Sequence, residues 1–153
     1  MTDMAGVGDI LKQADRLCRR RGVRLTEQRR RVLAVVSASD RPLGAYDILE
    51  AIREHVPRAA PPTVYRALDF LLAQGLVHKL ETLHAYVGCS HPEHSHSSQF
   101  LICTACGGVK ELEDDRISES LGRAAAASGF EPQRRVVEVT GTCAHCVRGD
   151  ERR

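Results

Sequence analysis

Residues 61–88 read PPTVYRALDFLLAQGLVHKLETLHAYVG, and this stretch decides the fold of the first half of the chain. The two leading prolines suit the first turn of a helix, where a missing N–H costs nothing, and Gly75 suits the position just past its end. Val64, Ala67, Leu68, Leu71 and Leu72 recur at helical spacing, the apolar stripe of a helix packed on a core. That stripe turns Thr63, Tyr65 and Arg66 outward at the N-terminal end. Two short β patterns follow, over 76–80 and 85–88, joined by Glu81-Thr82-Leu83-His84. A helix with an exposed polar N-terminus followed by a hairpin is the reader and wing of a winged helix-turn-helix. Such a helix lies in the major groove, where its first turns meet base edges and phosphates. Arg66 suits a bidentate pair with guanine, and Tyr65 suits a phosphate or a thymine methyl. The pattern alone also fits a plain helical bundle in which Tyr65 and Arg66 are ordinary surface residues.

Upstream, residues 9–21 predict a helix with Ile10, Ala14, Leu17 and Cys18 on one face, so Cys18 reads as core rather than ligand. Gly22 ends it. Thr26 caps a second helix with Val32, Leu33, Val35 and Val36 inside. A third follows Pro42-Leu43-Gly44, with a stripe of Ala45, Ile48, Leu49, Ile52 and Val56, and is expected to stop at Pro57. His55 beside that stripe has no partner ligand in sequence reach and reads as a surface histidine. Residues 1–80 carry 14 Lys+Arg against 9 Asp+Glu, a net +5, whereas residues 81–153 carry 8 against 11, a net −3. A basic half joined to an acidic half points to a polyanion partner for the first, with a solvated arginine face as the bland alternative.

The chain's 153 residues, with aromatics at only 4% and no Trp, fit two small cores better than one large one. No apolar run reaches the roughly 20 residues needed to cross a bilayer, and the start lacks the pattern of a signal peptide. A cytoplasmic location is therefore expected, where cysteines read as metal ligands or buried thiols before disulfides. The second half predicts a strand over 99–102, a return strand over 109–112, a helix capped by Asp114 or Asp115, and a third strand over 136–140. The helix's expected inner residues are Ile117, Leu121, Ala124, Ala125 and Ser128, with Gly129 ending it. Strands with exposed edges in so small a module invite a second copy.

The strongest chemical signal is a pair of C-x2-C motifs, Cys103/Cys106 and Cys143/Cys146. Two residues between cysteines let both thiolates face one ion, and two such turns supply the four-thiolate set that zinc accepts. With four protein ligands the site is closed, hence structural, and binding is part of folding. His145, between the last two ligands, is expected to point away. A second group of ligand types surrounds this one: His78 on the wing, Cys89 just after it, His91, His94 and His96 in a polar loop, and Glu111 on the return strand. A site drawing on wing, loop and second half would bias how the halves are arranged. The alternative is a solvated His-rich loop with weak metal affinity.

RLTEQRRRVL (residues 24–33), PPTVYRALDFL (61–71), HSHSSQFLICTACG (94–107) and the closing CAHC resemble the ferric uptake regulator superfamily. The resemblance runs from about Asp9 to Cys146, and GLVHKLE, AYVGC and the His-rich loop are similar to its zinc uptake branch. It implies a homodimeric, metal-dependent repressor of α+β class, with an N-terminal winged helix and a small C-terminal α/β dimerisation domain. By this resemblance, Cys103, Cys106, Cys143 and Cys146 hold a structural zinc, and His78, Cys89, His96 and Glu111 a regulatory one, two ions per protomer. Tyr65 and Arg66 match its DNA-contacting pair and Arg24 a basic residue near the backbone. The family's operators are AT-rich inverted repeats in double-stranded DNA upstream of uptake genes. A donor set containing one thiolate favours zinc over iron(II) or manganese(II). Ser95 stands where many relatives carry a carboxylate, and no histidine occurs over 97–144, so a third site built from His84, His91 or His94 is not expected.

The expected organisation is a DNA-binding domain over 1–88, a connector over 89–98, and a dimerisation and zinc-binding domain over 99–153. The rival readings are an iron or peroxide sensor of the same superfamily, a zinc hydrolase and a zinc-storage protein. HExxH and a nucleophile elbow are both missing from the sequence, so no enzyme is expected.

Overall fold

The computed structural model describes residues 4–93, 98–133 and 135–149. It divides into two compact units, Met1–Ser95 and His96–Arg153. The first holds helices α1 (Met4–Arg20), α2 (Glu27–Ala38), α3 (Ala45–Arg53) and α4 (Pro61–Ala73), then strands β1 (Val77–Leu80) and β2 (Ala85–Gly88). The second holds β3 (Gln99–Cys103), β4 (Val109–Leu112), α5 (Asp115–Ala127), β5 (Val137–Gly141) and the short α6 (Ala144–Val147). No helix among the described residues is long and apolar enough to cross a membrane.

The first unit is built as its apolar periodicity dictates. Leu17 and Cys18 of α1, Leu33 and Val36 of α2, Ile48 and Leu49 of α3 and Val64, Leu68 and Leu71 of α4 form one buried cluster. α1 begins at Met4, upstream of its apolar stripe, because the stripe marks only the packed part. Thr26 caps α2, its hydroxyl accepting from the Arg29 amide at 3.4 Å. α3 ends at Arg53, before the expected stop at Pro57: the His55 and Val56 amides both turn back to the Ile52 carbonyl. A proline disfavours helical backbone at the residue before it, so the chain leaves the helix early. His55 is exposed, as read from sequence.

α4 starts on Pro61-Pro62 and ends through Gly75, whose φ of +68° is a left-handed conformation that glycine adopts without strain. The hairpin that follows is antiparallel, with Val77 opposite Gly88 and Leu80 opposite Ala85. Leu43, just before α3, pairs with Tyr86 through two backbone hydrogen bonds of 3.0 and 2.8 Å, so the hairpin is fastened to the helical body. Three helices, a fourth with an exposed start and a tethered hairpin make this unit a winged helix-turn-helix.

The second unit is a three-stranded sheet of order β4-β3-β5, antiparallel between β3 and β4 and parallel between β3 and β5. α5 is the crossover that parallel pairing requires. Asp114 caps it, its carboxylate accepting from the Arg116 amide at 3.0 Å. The Arg116 guanidinium and that amide hold the Asp114 carboxyl below its usual range. The expected inner face of α5 is not buried: no α5 residue is, and Leu121 is 44% exposed. Leu101 and Val139, neighbours across β3 and β5, are also exposed, as are Phe130 and Val136. Of the expected inner residues Ile117 and Ala125 are half-buried and Leu121, Ala124 and Ser128 exposed, because helical spacing does not by itself supply a surface to cover the stripe.

Leu68→Ala, at a fully buried position in the centre of α4, should destabilise the first unit by about 2–5 kcal/mol in denaturant titration.

Candidate metal centre and nucleic-acid interface

Cys103 closes β3, and its partner across the parallel pair is Gly141 at the end of β5. The Thr104 amide and hydroxyl both donate to the Gly141 carbonyl, at 2.9 and 3.2 Å. The turn after β3 is thereby pinned to the strand end that leads into Cys143. Within the turn the Gly107 amide donates to the Cys103 carbonyl and the Cys103 amide to the Gly108 carbonyl, both at 2.9 Å. Gly107 takes a φ of +71°, and a Cβ on Gly108 would stand 3.2 Å from the Cys106 Sγ. Both glycines are needed to fold this loop around sulfur. Cys143 is the N-cap of α6 and Cys146 lies within that helix.

The four Sγ atoms of Cys103, Cys106, Cys143 and Cys146 all lie within 4.8 Å of one another, and Cys106 and Cys143 are 3.8 Å apart. Zn–S bonds of about 2.3 Å in a tetrahedron give S–S edges of about 3.8 Å. The residues present therefore fit a tetrahedral zinc ion. Backbone N–H groups prepare the charge. The Cys143 amide donates to the Cys103 sulfur at 3.3 Å and the Gly108 amide to the Cys106 sulfur at 3.4 Å. The Cys143, Cys106 and Ala105 amides hold the Cys103 thiol down at about 6. The Cys143 thiol and burial push Cys146 up to about 12. One sulfur loses its proton readily because backbone amides donate to it, and the last keeps its proton because it shares it with the Cys143 sulfur and is partly desolvated.

The first unit carries a second pair of donors. His78 lies on β1 opposite Val87, and the Cys89 amide extends the hairpin by donating to the Leu76 carbonyl at 3.0 Å. Cys89 is two residues beyond Val87, hence diagonal to His78 on one face. A ring nitrogen of His78 and the Cys89 Sγ lie within 4.8 Å of each other, both half-buried. In the second unit Glu111 lies on β4, half-buried, and its Oε1 accepts from the Ser98 hydroxyl at 2.6 Å. His94 and His96 fall outside the described residues. His84, His91 and His145 are exposed.

On α4, Tyr65 is 52% exposed and Arg66 is exposed, whereas Val64 between Thr63 and Tyr65 is buried. Thr63 is half-buried at the same end. Arg24 is exposed ahead of α2, and its carbonyl accepts from Arg29 Nη1 at 2.6 Å. The Arg29 guanidinium also stands 3.7 Å from the centroid of the Phe70 ring on α4, a cation–π contact that links the Arg24 segment to the exposed helix. Sequence reasoning missed Arg29, Thr104, Gly108 and Ser98. Their roles rest on partners distant in sequence, although two glycines directly after a C-x2-C were a readable sign of a loop wrapped on sulfur.

A winged helix joined to a small mixed-sheet unit with a tetrathiolate cluster defines a class of metal-linked helix-turn-helix proteins. The chain belongs to the ferric uptake regulator family, whose model matches residues 20–140. The zinc uptake regulation protein of Escherichia coli (strain K12) is 46% identical over 140 residues, spanning 91% of this chain and 82% of that protein. The zinc uptake regulation protein of Mycobacterium tuberculosis (strain ATCC 25618 / H37Rv) is 30% identical over 131 residues, spanning 82% of this chain and 95% of that protein. Among solved structures, a zinc uptake regulator complexed with zinc and DNA superposes with a TM-score of 0.90 at 44% identity, covering 94% of this chain and 97% of that one.

Cys106→Ser or Cys143→Ser should each remove one tightly held zinc per chain, measured by metal analysis after dialysis. Proteolysis of the second unit should accelerate in parallel, since metal binding there is folding energy. Full zinc retention in both variants would refute the assignment.

Proposed function

We propose that this protein is a zinc-responsive transcriptional repressor. As a homodimer it binds AT-rich inverted repeats upstream of zinc uptake genes, in the cytoplasm, and no catalytic step is part of its action. The observation that carries this reading is the donor pair on the wing. Imidazole and thiolate, His78 and Cys89, stand together on the hairpin that directly follows the exposed helix α4. A thiolate in that set favours zinc over iron(II) and manganese(II), and the 46% identity to a zinc uptake regulation protein supports the same choice.

Each part of the chain then has a role. Cys103, Cys106, Cys143 and Cys146 hold a structural zinc that keeps the knuckle and α6 joined. His78, Cys89, His96 and Glu111 are the ligands of the regulatory ion. Thr63, Tyr65 and Arg66 read the operator from α4, and Arg24 contacts the DNA backbone. The exposed apolar side chains Leu101 and Val139 on the sheet, with Leu121 and Phe130 elsewhere in the unit, are surface for a second copy to cover. β4 and β5 are the two edges of the sheet, and an edge strand is where such a copy can pair. Zinc, when bound at the second site, supplies the coordination that selects the arrangement competent for two half-sites on one face of DNA.

Operator binding at fixed salt, titrated in parallel with buffered zinc, iron(II) and manganese(II), tests the reading. A steep rise with zinc alone is expected. Cys89→Ser should leave a folded, zinc-containing dimer whose operator affinity no longer responds to zinc. Arg66→Ala should weaken operator binding by about 1–3 kcal/mol with zinc content unchanged. Val139→Arg should yield monomers in sedimentation while the four-cysteine zinc stays bound.

A further inference from the structure

We propose that Arg21 couples occupancy of the His78–Cys89 site to the DNA-reading helix. This rests on the zinc-sensor reading above and adds the residue through which the signal passes within the first unit. Arg21 lies just past the end of α1, its amide turning back to the Leu17 and Cys18 carbonyls. Its side chain bridges two segments remote in sequence. Nη1 donates to the Gln74 carbonyl at 2.7 Å and to Gln74 Oε1 at 3.3 Å, and Nη2 donates to the Pro92 carbonyl at 3.4 Å. Gln74 is the C-cap of α4, the helix that presents Tyr65 and Arg66. Pro92 lies three residues beyond Cys89.

Chemistry favours this side chain at this place. The C-terminal carbonyls of a helix lack intrahelical donors and sit at the negative end of the helix dipole. A guanidinium is always charged and directs separate N–H groups along fixed directions, so one nitrogen can serve α4 while the other serves the segment after Cys89. An ammonium is a single point and cannot hold that fork. When Cys89 is a ligand, the chain leaving it is restrained and the Pro92 carbonyl is held against Nη2. When Cys89 is not a ligand, residues 90–93 are released from that restraint and Nη2 loses its acceptor, while Nη1 keeps α4 capped. The α4 cap is therefore present in both states, and what the wing site sets is whether the side chain that caps α4 is also tied to the segment after Cys89.

Coupling between two sites is a ratio of affinities and is reciprocal, so a four-sided cycle tests it. Operator affinity is measured for the wild type, Arg21→Ala and Arg21→Lys. Free zinc is buffered at two levels: one leaves only the four-cysteine site loaded, at one zinc per chain, and the other fills both sites. The wild type should show a zinc-dependent gain. Arg21→Ala removes the α4 cap at both zinc levels but the tie to Pro92 only at the higher one, so it should lose more affinity at high zinc than at low, cutting the zinc-dependent gain roughly three- to tenfold. Arg21→Lys should fall between. Zinc affinity of the second site, measured with and without operator, should lose the same factor in Arg21→Ala. An undiminished gain in Arg21→Ala overturns the proposal. An equal loss at both zinc levels also overturns it, because Arg21 would then be a simple helix cap or a DNA contact. Absence of any zinc-dependent gain in the wild type would instead overturn the sensor reading itself.

Discussion

Four sulfur atoms within 4.8 Å of one another are the constraint on which the second unit depends. Hydrogen bonding inside the cluster makes the thiols unequal: backbone amides hold Cys103 low at about 6, while the bond to Cys143 and burial drive Cys146 up to about 12. Around it, the buried residues described in this unit are confined to β3: Gln99, Phe100, Ile102 and Cys103. Its sheet has three strands, its helix α5 buries no residue within the chain, and its apolar face is left open. Four cysteines gathered from the end of β3 and the start of α6 offer the donor set with which a metal ion would stand in for a larger core.

The first unit depends on ordinary packing. A buried cluster from four helices fixes the scaffold, and α4 projects its polar start from that scaffold because Val64, Leu68 and Leu71 are locked beneath it. The same rigidity extends to the wing through the Leu43–Tyr86 bridge. A donor pair on such a hairpin is held still, which suits selective uptake of an ion over loose binding by a mobile loop. The two units therefore differ in build: one gathers four cysteines beside a small sheet, and the other carries a His–Cys pair on a hairpin fastened to a packed core.

Much of this was legible because it is local. The span of α4 follows from Pro61, Gly75 and the stripe between them, the cap of α2 from Thr26, and the tetrathiolate from two C-x2-C spacings. The elements that were not legible all join residues distant in sequence. The parallel pairing of β3 with β5, the hydrogen bonds from Thr104 to Gly141 and the fork of Arg21 onto Gln74 and Pro92 leave no periodic trace. The exposed stripe of α5 illustrates a different limit. Leu121 and Ile117 have the spacing of a buried face, but spacing does not say whether the covering surface comes from the same chain or from another.

The most direct test of two zinc sites with different chemistry is X-ray absorption at the zinc edge, on protein carrying one and then two zinc ions per chain. The account predicts a pure four-sulfur shell at about 2.3 Å for the first ion. With the second ion added, the mean should fall to about 2.5 sulfurs per zinc as nitrogen and oxygen donors enter. A first ion already bound by nitrogen and oxygen, or a second that adds no sulfur, would contradict it.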